Sequence, residues 1–562
     1  MQDFYRDMGG KPASLKITEF EVEIPQPEFY IDPEYRVRVG SVNASFQLTG
    51  ISPKTISKRF TKVEAGNFCA PINSSFILRK EYIRMEKLLQ EKESAKWIDK
   101  KEGKRRSGGV ALDYKVSGQP GSGKTTFLLY ILARRVAARL PTVYRVSDDT
   151  CYYFDTVHKG RCITAQQLFK MKEPKQRDLW ILTDWALVDP LWNKYWHSWF
   201  VVLGTSENKV KCSQYWANGR NARETYINNW EWEEIYTAYT LDCTEAEPPT
   251  PIETQDLYTT FICLGPVART CLVRLSPKLG IEEYDMELKA RLTKIDRYIQ
   301  KVLAKFQLGY LENAVGCFET HKIIRMEPCD KSTSYIPELM TRWIACRIHH
   351  YAELGAKMRG YNMFLALCDQ PKTRTSAGWI FERYAHSWLR AGGRFRVDRV
   401  SLDNSGGVLA FDINFANPEE SPYYKTLNDL GDELKSADGR GIESTLIGTY
   451  FQPKCVTQES FDSLVLISNN ILVLFQITMA KSHEIKVNGV CDILNALPKS
   501  IDTVFIIFVI PEDRVNNYRV PQKAPTSDHF RIGRKRYTIE QFRLVFSNKE
   551  IMKIALPKPR VS

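Results

Sequence analysis

Residues Gly118-Gln119-Pro120-Gly121-Ser122-Gly123-Lys124-Thr125 satisfy G-x-x-x-x-G-K-[ST] at every fixed position, and this stretch constrains the fold more than any other. The pattern has a purpose only as a turn from a buried strand into the first turn of a helix. There its glycines let successive backbone N–H groups point inward at phosphate oxygens, while Lys124 reaches the β- and γ-phosphates and the Thr125 hydroxyl can ligate Mg²⁺. The flanks agree. Residues 110–116, Val-Ala-Leu-Asp-Tyr-Lys-Val, read as a short strand, and residues 126–135 carry a helical apolar pattern with no breaker. Such a helix would direct its N-terminal dipole at a triphosphate. A chance glycine-rich turn would lack both flanks. Gly118, Gly121, Ser122, Gly123, Lys124, Thr125 and Thr126 are therefore the candidate set for binding ATP (or GTP) with Mg²⁺ (or Mn²⁺).

A P-loop domain needs a second carboxylate for the metal at a neighbouring strand end. Leu179-Trp180-Ile181-Leu182-Thr183-Asp184 is a short apolar run ending in one. Runs ending in Asp are common, so Asp184 is singled out by its place roughly sixty residues after the loop in an α/β pattern. Residues 199–204 form another strand candidate, ending at Thr205-Ser206. Those hydroxyls suit either contact with the γ-phosphate or a plain helix N-cap.

At 562 residues with 43% hydrophobic content, the chain has material for about three or four domains. The formal charge of +13 leans toward polyanionic partners, nucleic acid above all, although scattered solvated Lys and Arg give the same sum. The 13 cysteines form no C-x-x-C pair and no zinc-spaced cluster. Cys263, Cys271, Cys346 and Cys368 lie in apolar runs and read as buried free thiols of a reducing compartment. No ordinary signal peptide opens the sequence and no apolar run approaches membrane-spanning length. A soluble protein without a membrane partner is expected.

Five segments follow from composition and periodicity. Residues 1–106 read as a β-rich or irregular module, a charged helix from 80 to 101 with Tyr82, Met85, Leu88 and Leu89 on its apolar side, and a basic stretch, Lys100-Lys101-Glu102-Gly103-Lys104-Arg105-Arg106. That stretch suits a nuclear-localisation patch or a solvated linker. Residues 107–285 form the NTPase domain and 286–370 a helical lid or bridge. The adjacent His349 and His350 in that bridge cannot both face one metal on a helix. Residues 371–515 form a second α/β domain, and 516–562 a basic C-terminal extension. The fold class is thus α/β multidomain, with a parallel-sheet P-loop domain, a helical bridge and a C-terminal α/β domain.

In that C-terminal domain an amphipathic helix, residues 378–389, precedes strand candidates at 394–400, 407–411, 463–467, 471–478 and 504–510. Helix, strands, helix, strand suits the αβββαβ core of restriction endonucleases. Such a core gathers a helix Glu, a hairpin Asp and an (E/D/Q)-x-K element around one divalent metal, which activates water against a phosphodiester. The candidates are Glu382, Asp462 as metal ligand, and Gln476-Ile477-Thr478, with Thr478 standing where Lys is usual. Lys481 or Lys486 would have to supply the missing charge, and His483 a base. A domain with incidental polar residues at its strand ends remains the alternative on these residues alone.

The motif order resembles the Crinkler effectors of oomycetes and fungi and the related retrotransposon hot spot proteins of trypanosomes. The likeness is carried by residues 118–130, Thr205-Ser206 with Tyr215-Trp216, Tyr226-Ile227-Asn228-Asn229-Trp230 and Glu233-Glu234-Ile235. Gly265-Pro266-Val267-Ala268-Arg269 is similar to a G-x-x-P-R-type element, with Ala268 where Pro is usual. Farther on, Ser376-Ala377-Gly378-Trp379-Ile380-Phe381-Glu382 with Gly392-Gly393-Arg394-Phe395 is similar to a G-x-x-F-E and G-G-x-F signature. Phe475-Gln476-Ile477-Thr478 with His483 and Lys486 is similar to a Q-x-T-x-x-x-x-H-x-x-K region. The resemblance spans about residues 107–512. It implies an NTPase joined to a metal-dependent nuclease acting on DNA, Arg269 as a lid arginine near the γ-phosphate, and an effector acting on host nuclear proteins. The alternative is an NTP-driven switch whose C-terminal domain binds nucleic acid or a host protein without cleaving. No L-x-L-F-L-A-K element stands at the N-terminus, so the resemblance does not extend to secretion.

Overall fold

The computed structural model describes residues 16–27, 30–31, 37–38, 54–64, 75–101, 113–147, 149–156, 160–170, 179–184, 199–205, 217–218, 222–243, 248–305, 322–329, 333–369, 373–400, 407–414, 423–424, 427–435, 442–453, 461–523, 530–532 and 535–555. They divide into two compact units. One is drawn from Met1–Gln26, Ser52–Lys294 and Glu312–Met340, the other from Pro27–Ile51, Ile295–Leu311 and Thr341–Ser562. Of the residues singled out in the sequence, Val110, Ala111, Leu112, Ser206, Tyr215, Trp216 and the basic stretch beyond Lys101 lie outside the described residues.

The first unit opens with β1 (Lys16–Gln26) and β2 (Lys54–Glu64), antiparallel from Lys16↔Glu64 to Gln26↔Lys54, with β3 (Ser75–Ile77) on the far side of β2. Helix α1 (Lys80–Lys101) follows. Its apolar side is as the sequence suggests, but what it covers differs from a separate module. Tyr82, Met85 and Leu89 are fully buried in the same core as Val116, Phe127, Leu128 and Ile131, so α1 belongs to the wall of the P-loop domain.

The main sheet is built from β4 (Tyr114–Ser117), β5 (Thr142–Arg145), β6 (Thr150–Phe154), β7 (Arg161–Thr164), β8 (Trp180–Thr183), β9 (Phe200–Gly204) and β10 (Arg223–Tyr226), in the order β10-β4-β9-β8-β5-β6-β7. The first five are mutually parallel, and β6 and β7 add an antiparallel margin. Every residue of β4, β8 and β9 is buried, as expected of parallel strands covered on both faces. Helix α2 (Lys124–Ala137) follows the β4 turn and packs Phe127, Leu128 and Ile131 on the sheet. Farther along come α3 (Pro251–Leu264), with a complete Thr250/Glu253 capping box, the helix α4 (Ile281–Lys305), and a hairpin of β11 (Ile324–Pro328) and β12 (Tyr335–Leu339).

The segment expected to be one helical bridge is therefore two things. Its hairpin belongs to the first unit, while α5 (Arg342–Tyr351) and α6 (Lys357–Asp369) belong to the second and pack on α7 (Arg374–Arg390). His349 stands edge-on to Tyr384 at 4.8 Å, and Phe364 stacks on Phe381 at 6.4 Å. Burial drives His349 down to about 4, so it packs there as a neutral ring. Cys263, Cys271 and Cys346 are buried free thiols as expected, whereas Cys368 is only half-buried.

The second unit holds an eight-stranded sheet. Its strands are β13 (Gly393–Arg399), β14 (Val408–Ile413), β15 (Tyr423–Tyr424), β16 (Tyr450–Pro453), β17 (Ser463–Leu466), β18 (Ile471–Ile477), β19 (Thr503–Ile510) and β20 (Thr538–Val545), in the order β14-β13-β20-β19-β18-β17-β16-β15. Strands β16, β17 and β18 are successively antiparallel. Helix α8 (Val487–Ala496) then crosses over to β19, parallel to β18. The expected run of helix, strands, helix and strand is met only in part, because β13, β14, β15 and a further helix, Leu427–Leu434, stand between α7 and β16. The described part of 516–562 is not an appended extension. β20 lies inside the sheet, parallel to β19 from Thr503↔Thr538 to Ile510↔Val545 and hydrogen-bonded to β13 on its other side.

Candidate functional site

The turn after β4 has the backbone that its glycines allow. Gly121 and Gly123 lie at φ +88° and +93°, a region that costs a residue with a Cβ strain. A Cβ at Gly121 would stand 2.6 Å from Val267 Cγ1, and one at Gly123 would strike the Tyr82 hydroxyl. The Lys124 ammonium curls into the loop, donating to the carbonyls of Gly118 (2.7 Å) and Gln119 (2.8 Å). The Thr125 hydroxyl donates to Asp184 Oδ2 at 3.0 Å. Asp184 follows directly on β8, so the carboxylate expected after the loop and the loop's own hydroxyl share one hydrogen bond. Hydroxyl and carboxylate are the hard oxygen donors that Mg²⁺ takes, and this pair fits such an ion. Tyr144 lies close enough to Asp184 that burial first, and then that carboxylate, raise its phenol.

Thr126 sits in the first turn of α2. Thr205 follows directly on β9, buried, its N–H bonded to Val116 O at 2.9 Å, so it emerges from the sheet beside the loop. Arg269 opens a π-helical turn, Arg269–Arg274, and is exposed. A Cβ on Gly121 would lie 3.3 Å from Arg269 Cβ, so this arginine also borders the loop.

A set of residues with no role at the loop expected of them holds it from behind. Arg79, just before α1, is 2% exposed. Its guanidinium donates to the carbonyls of Ser122 (2.9 Å), Asn228 (3.3 Å) and Asn229 (2.6 Å) and pairs with Glu234 at 2.9 Å. It also lies over the Trp230 ring, 4.5 Å from the centroid. The Tyr82 hydroxyl donates to Gly123 O at 3.1 Å, and burial pushes that phenol up to about 12 against the pull of Arg79. From the hairpin, Met326 N donates to Gln119 Oε1 at 3.3 Å, and Met326 O accepts from Asn229 Nδ2 at 2.9 Å. Asn228, Asn229, Trp230 and Glu234 stand in the stretches that carry the family resemblance, so a signal existed. Arg79 had none.

In the second unit the structure brings Glu382, Asp462, Gln476 and Thr478 together at one end of the sheet. Asp462 Oδ2 accepts from Gln476 Nε2 (2.8 Å) and from Ile477 N (2.7 Å). Burial and then the Glu382 charge raise its carboxyl. Glu382 Oε1 accepts from Arg342 Nη2 and lies 3.6 Å from His386 Nε2. Burial alone would raise Glu382, yet Arg342, His386 and Arg383 together hold it well below the usual range. Behind it, His386 Nδ1 meets the Tyr450 hydroxyl at 2.7 Å, and that hydroxyl donates to Ser463 Oγ at 2.6 Å. A cleft of about 530 Å³ opens over Glu382, lined by Thr478, Lys481, Arg374, Trp379 and Arg514 among others. Lys481 lines it, whereas Lys486 is the N-cap residue of α8. The backbone N–H of His483 donates to Gln522 Oε1 at 3.2 Å, and burial lowers its imidazole.

A divalent metal fits this second grouping poorly. Glu382 is matched by a guanidinium, and the Oδ2 lone pairs of Asp462 are engaged by two N–H donors. Among the described residues no group of three His, Cys, Asp or Glu side chains converges to hold an ion. Nor is any described helix long and apolar enough to cross a membrane.

No family model matches the chain, and no curated protein matches it. Among solved structures it is similar to AMPPCP-bound DnaA from Aquifex aeolicus at 11% identity, over 51% of this chain and 84% of that one, with a TM-score of 0.25. Similarity that low fixes neither mechanism nor partner, so the chemistry has to come from the residues themselves.

Proposed function

We propose that the chain is a P-loop nucleoside triphosphatase whose second unit binds nucleic acid. The Thr125 Oγ1–Asp184 Oδ2 bond of 3.0 Å carries the first half. The N–H groups of Gly121, Ser122, Gly123, Lys124, Thr125 and Thr126 face the phosphates of ATP (or GTP), with Gly118 admitting their close approach. Lys124 releases the loop carbonyls for the β- and γ-phosphates. Thr125 and Asp184 would hold Mg²⁺ (or Mn²⁺), which would supply charge neutralisation to the phosphates. Arg269 lies on the γ-phosphate side, and Thr205 can orient the attacking water. In a phosphate-release and fluorescent-nucleotide assay, Lys124→Ala loses nucleotide binding, while Asp184→Asn keeps binding and loses its Mg²⁺ dependence. Equal phosphate release by wild type and Lys124→Ala would sink this reading.

For the second unit, the Arg342–Glu382 pair favours binding of nucleic acid over its cleavage, in line with the chain's charge of +13. A metal-dependent DNA nuclease remains the second reading. It is supported by the grouping of Glu382, Asp462, Gln476 and Thr478 and by the resemblance to Crinkler and retrotransposon hot spot proteins. Plasmid nicking with Mg²⁺ or Mn²⁺ that Asp462→Ala abolishes would establish it in place of the first.

A further inference from the structure

The cleft over Glu382 is lined by more positive than negative side chains, although Asp513 lies 3.5 Å from Arg374 and 3.6 Å from Arg514. Three cationic side chains, Arg374, Lys481 and Arg514, line it against one lining carboxylate, Glu382, which is already matched by Arg342. Arg514 is buried and donates to Met479 O at 2.9 Å, which fixes it in the wall. Arg374 Nε is buried and makes no hydrogen bond, and its other end reaches Asp513 only at 3.5 Å. The cleft also takes in Arg374, Thr375 and Gly378, the first turns of the 17-residue helix α7. Thr373 puts no side-chain cap on that helix, because its hydroxyl donates to Leu367 O at 2.5 Å. The N–H groups and dipole of such a terminus favour a phosphate. Trp379 adds an aromatic wall, and indole faces carry unpaired bases in strand-binding grooves. A volume of about 530 Å³ is that of a small-ligand site, and it is too confined for a stacked duplex.

We infer that this cleft holds an unpaired nucleotide of a nucleic-acid strand without a metal ion, its phosphate on the α7 terminus, Arg374 and Lys481, and its base against Trp379. The inference rests on the nucleic-acid reading of the second unit and deepens it. Glu382 is then a structural partner of Arg342, and Gly378 leaves the wall open, since a Cβ there meets nothing within 4 Å.

The test is fluorescence anisotropy of the full chain with a labelled single-stranded oligonucleotide in EDTA, without nucleoside triphosphate. Wild type binds. Trp379→Ala weakens binding roughly 5- to 100-fold, the loss of one base–aromatic stack. Lys481→Gln weakens it and lowers the slope of log affinity against log salt by about 0.7, the share of one phosphate contact on a single strand. Gly378→Leu, which fills the cleft without a clash at its Cβ, also weakens binding, and a duplex of the same sequence binds less well. If wild type binds the strand but all three variants bind as tightly, or binding requires Mg²⁺, the cleft assignment is overturned and nucleic-acid binding lies elsewhere on the unit. If wild type binds no nucleic acid with or without metal, the underlying reading fails as well.

Discussion

Arg79→Met tests whether the P-loop is held in shape from outside the motif. The guanidinium is 2% exposed and its Glu234 partner 13% exposed at the side chain. Breaking a buried pair by removing one partner costs about 3–5 kcal/mol, and each orphaned buried carbonyl adds about 1–3 kcal/mol where water cannot reach it. Glu234 keeps a bond from Glu231 N at 3.1 Å and some access to water, so the lower end applies. About 3 kcal/mol is expected. Because Arg79 spans Ser122 O, Asn228 O and Asn229 O, the loss falls on the loop and on the start of α2. Hydrogen exchange at the amides of residues 127–133 reads it directly, at least a hundredfold faster than in wild type, with nucleotide affinity falling in parallel. Arg79→Lys keeps the charge beside Glu234, but an ammonium cannot span three separate carbonyls and one carboxylate, so it should recover only part of both losses. Exchange within about threefold of wild type for Arg79→Met, with unchanged nucleotide affinity, would refute the claim that this arginine shapes the loop.

Three further outcomes follow from the geometry. Gly121→Ala forces a Cβ to 2.6 Å from Val267 Cγ1 at φ +88°, costing about 1–3 kcal/mol and weakening nucleotide binding, as thermal melts with and without nucleotide would read. Tyr450→Phe strips the hydroxyl that joins His386 to Ser463 and leaves two buried polar groups short, costing about 1–3 kcal/mol in urea unfolding. Asp256 is raised to about 6 by burial and then by the Asp285 and Glu253 charges. Its folded value lies above its unfolded one, so its stabilising contribution is complete below about pH 4 and lost as pH rises through 6. Asp256→Asn should therefore stabilise the protein at pH 7, by on the order of 1 kcal/mol after solvent screening, and not at pH 4; equal effects at both would contradict the shift.

The loop was legible because its demands are local. Positive φ at Gly121 and Gly123 and a lysine next to a hydroxyl are written in adjacent letters. Asp184 was legible because β8 is a continuous apolar run, as a strand buried on both faces must be. Arg79 was not, because its partners are carbonyls 43 to 150 residues away and a carbonyl has no sequence signature. The same limit hid Arg342. Glu382 and Asp462 could be paired as a helix carboxylate and a hairpin carboxylate, but the guanidinium that changes Glu382 comes from a different helix, 40 residues earlier. Strand β20 went unread because Glu540, Gln541 and Arg543 interrupt its apolar residues, although Ile539, Phe542 and Leu544 are buried. Strand β16 is only four residues long and ends in Pro453.

Each unit holds a candidate carboxylate, Asp184 directly after β8 in the first and Glu382 on α7 in the second, and the difference between them lies in what those carboxylates face. In the first, β9 lies between β4 and β8 in parallel register, Trp180↔Phe200 and Val202↔Tyr114. That register brings the P-loop, Asp184 and Thr205 out at one edge. Gly204 lets this edge sit under α2, for a Cβ there would already stand 3.0 Å from Leu128 Cδ1 and 3.8 Å from Lys124 Cβ. Asp184 consequently meets a hydroxyl, a neutral group that can itself turn to a cation. In the second unit Glu382 meets Arg342, a fixed positive charge that cannot be deprotonated in a protein. A cation arriving at Asp184 gains an oxygen donor from Thr125, whereas one arriving at Glu382 must first displace the half-buried Arg342 guanidinium. On the proposed reading a carboxylate thus favours a metal in one unit and an anion in the other.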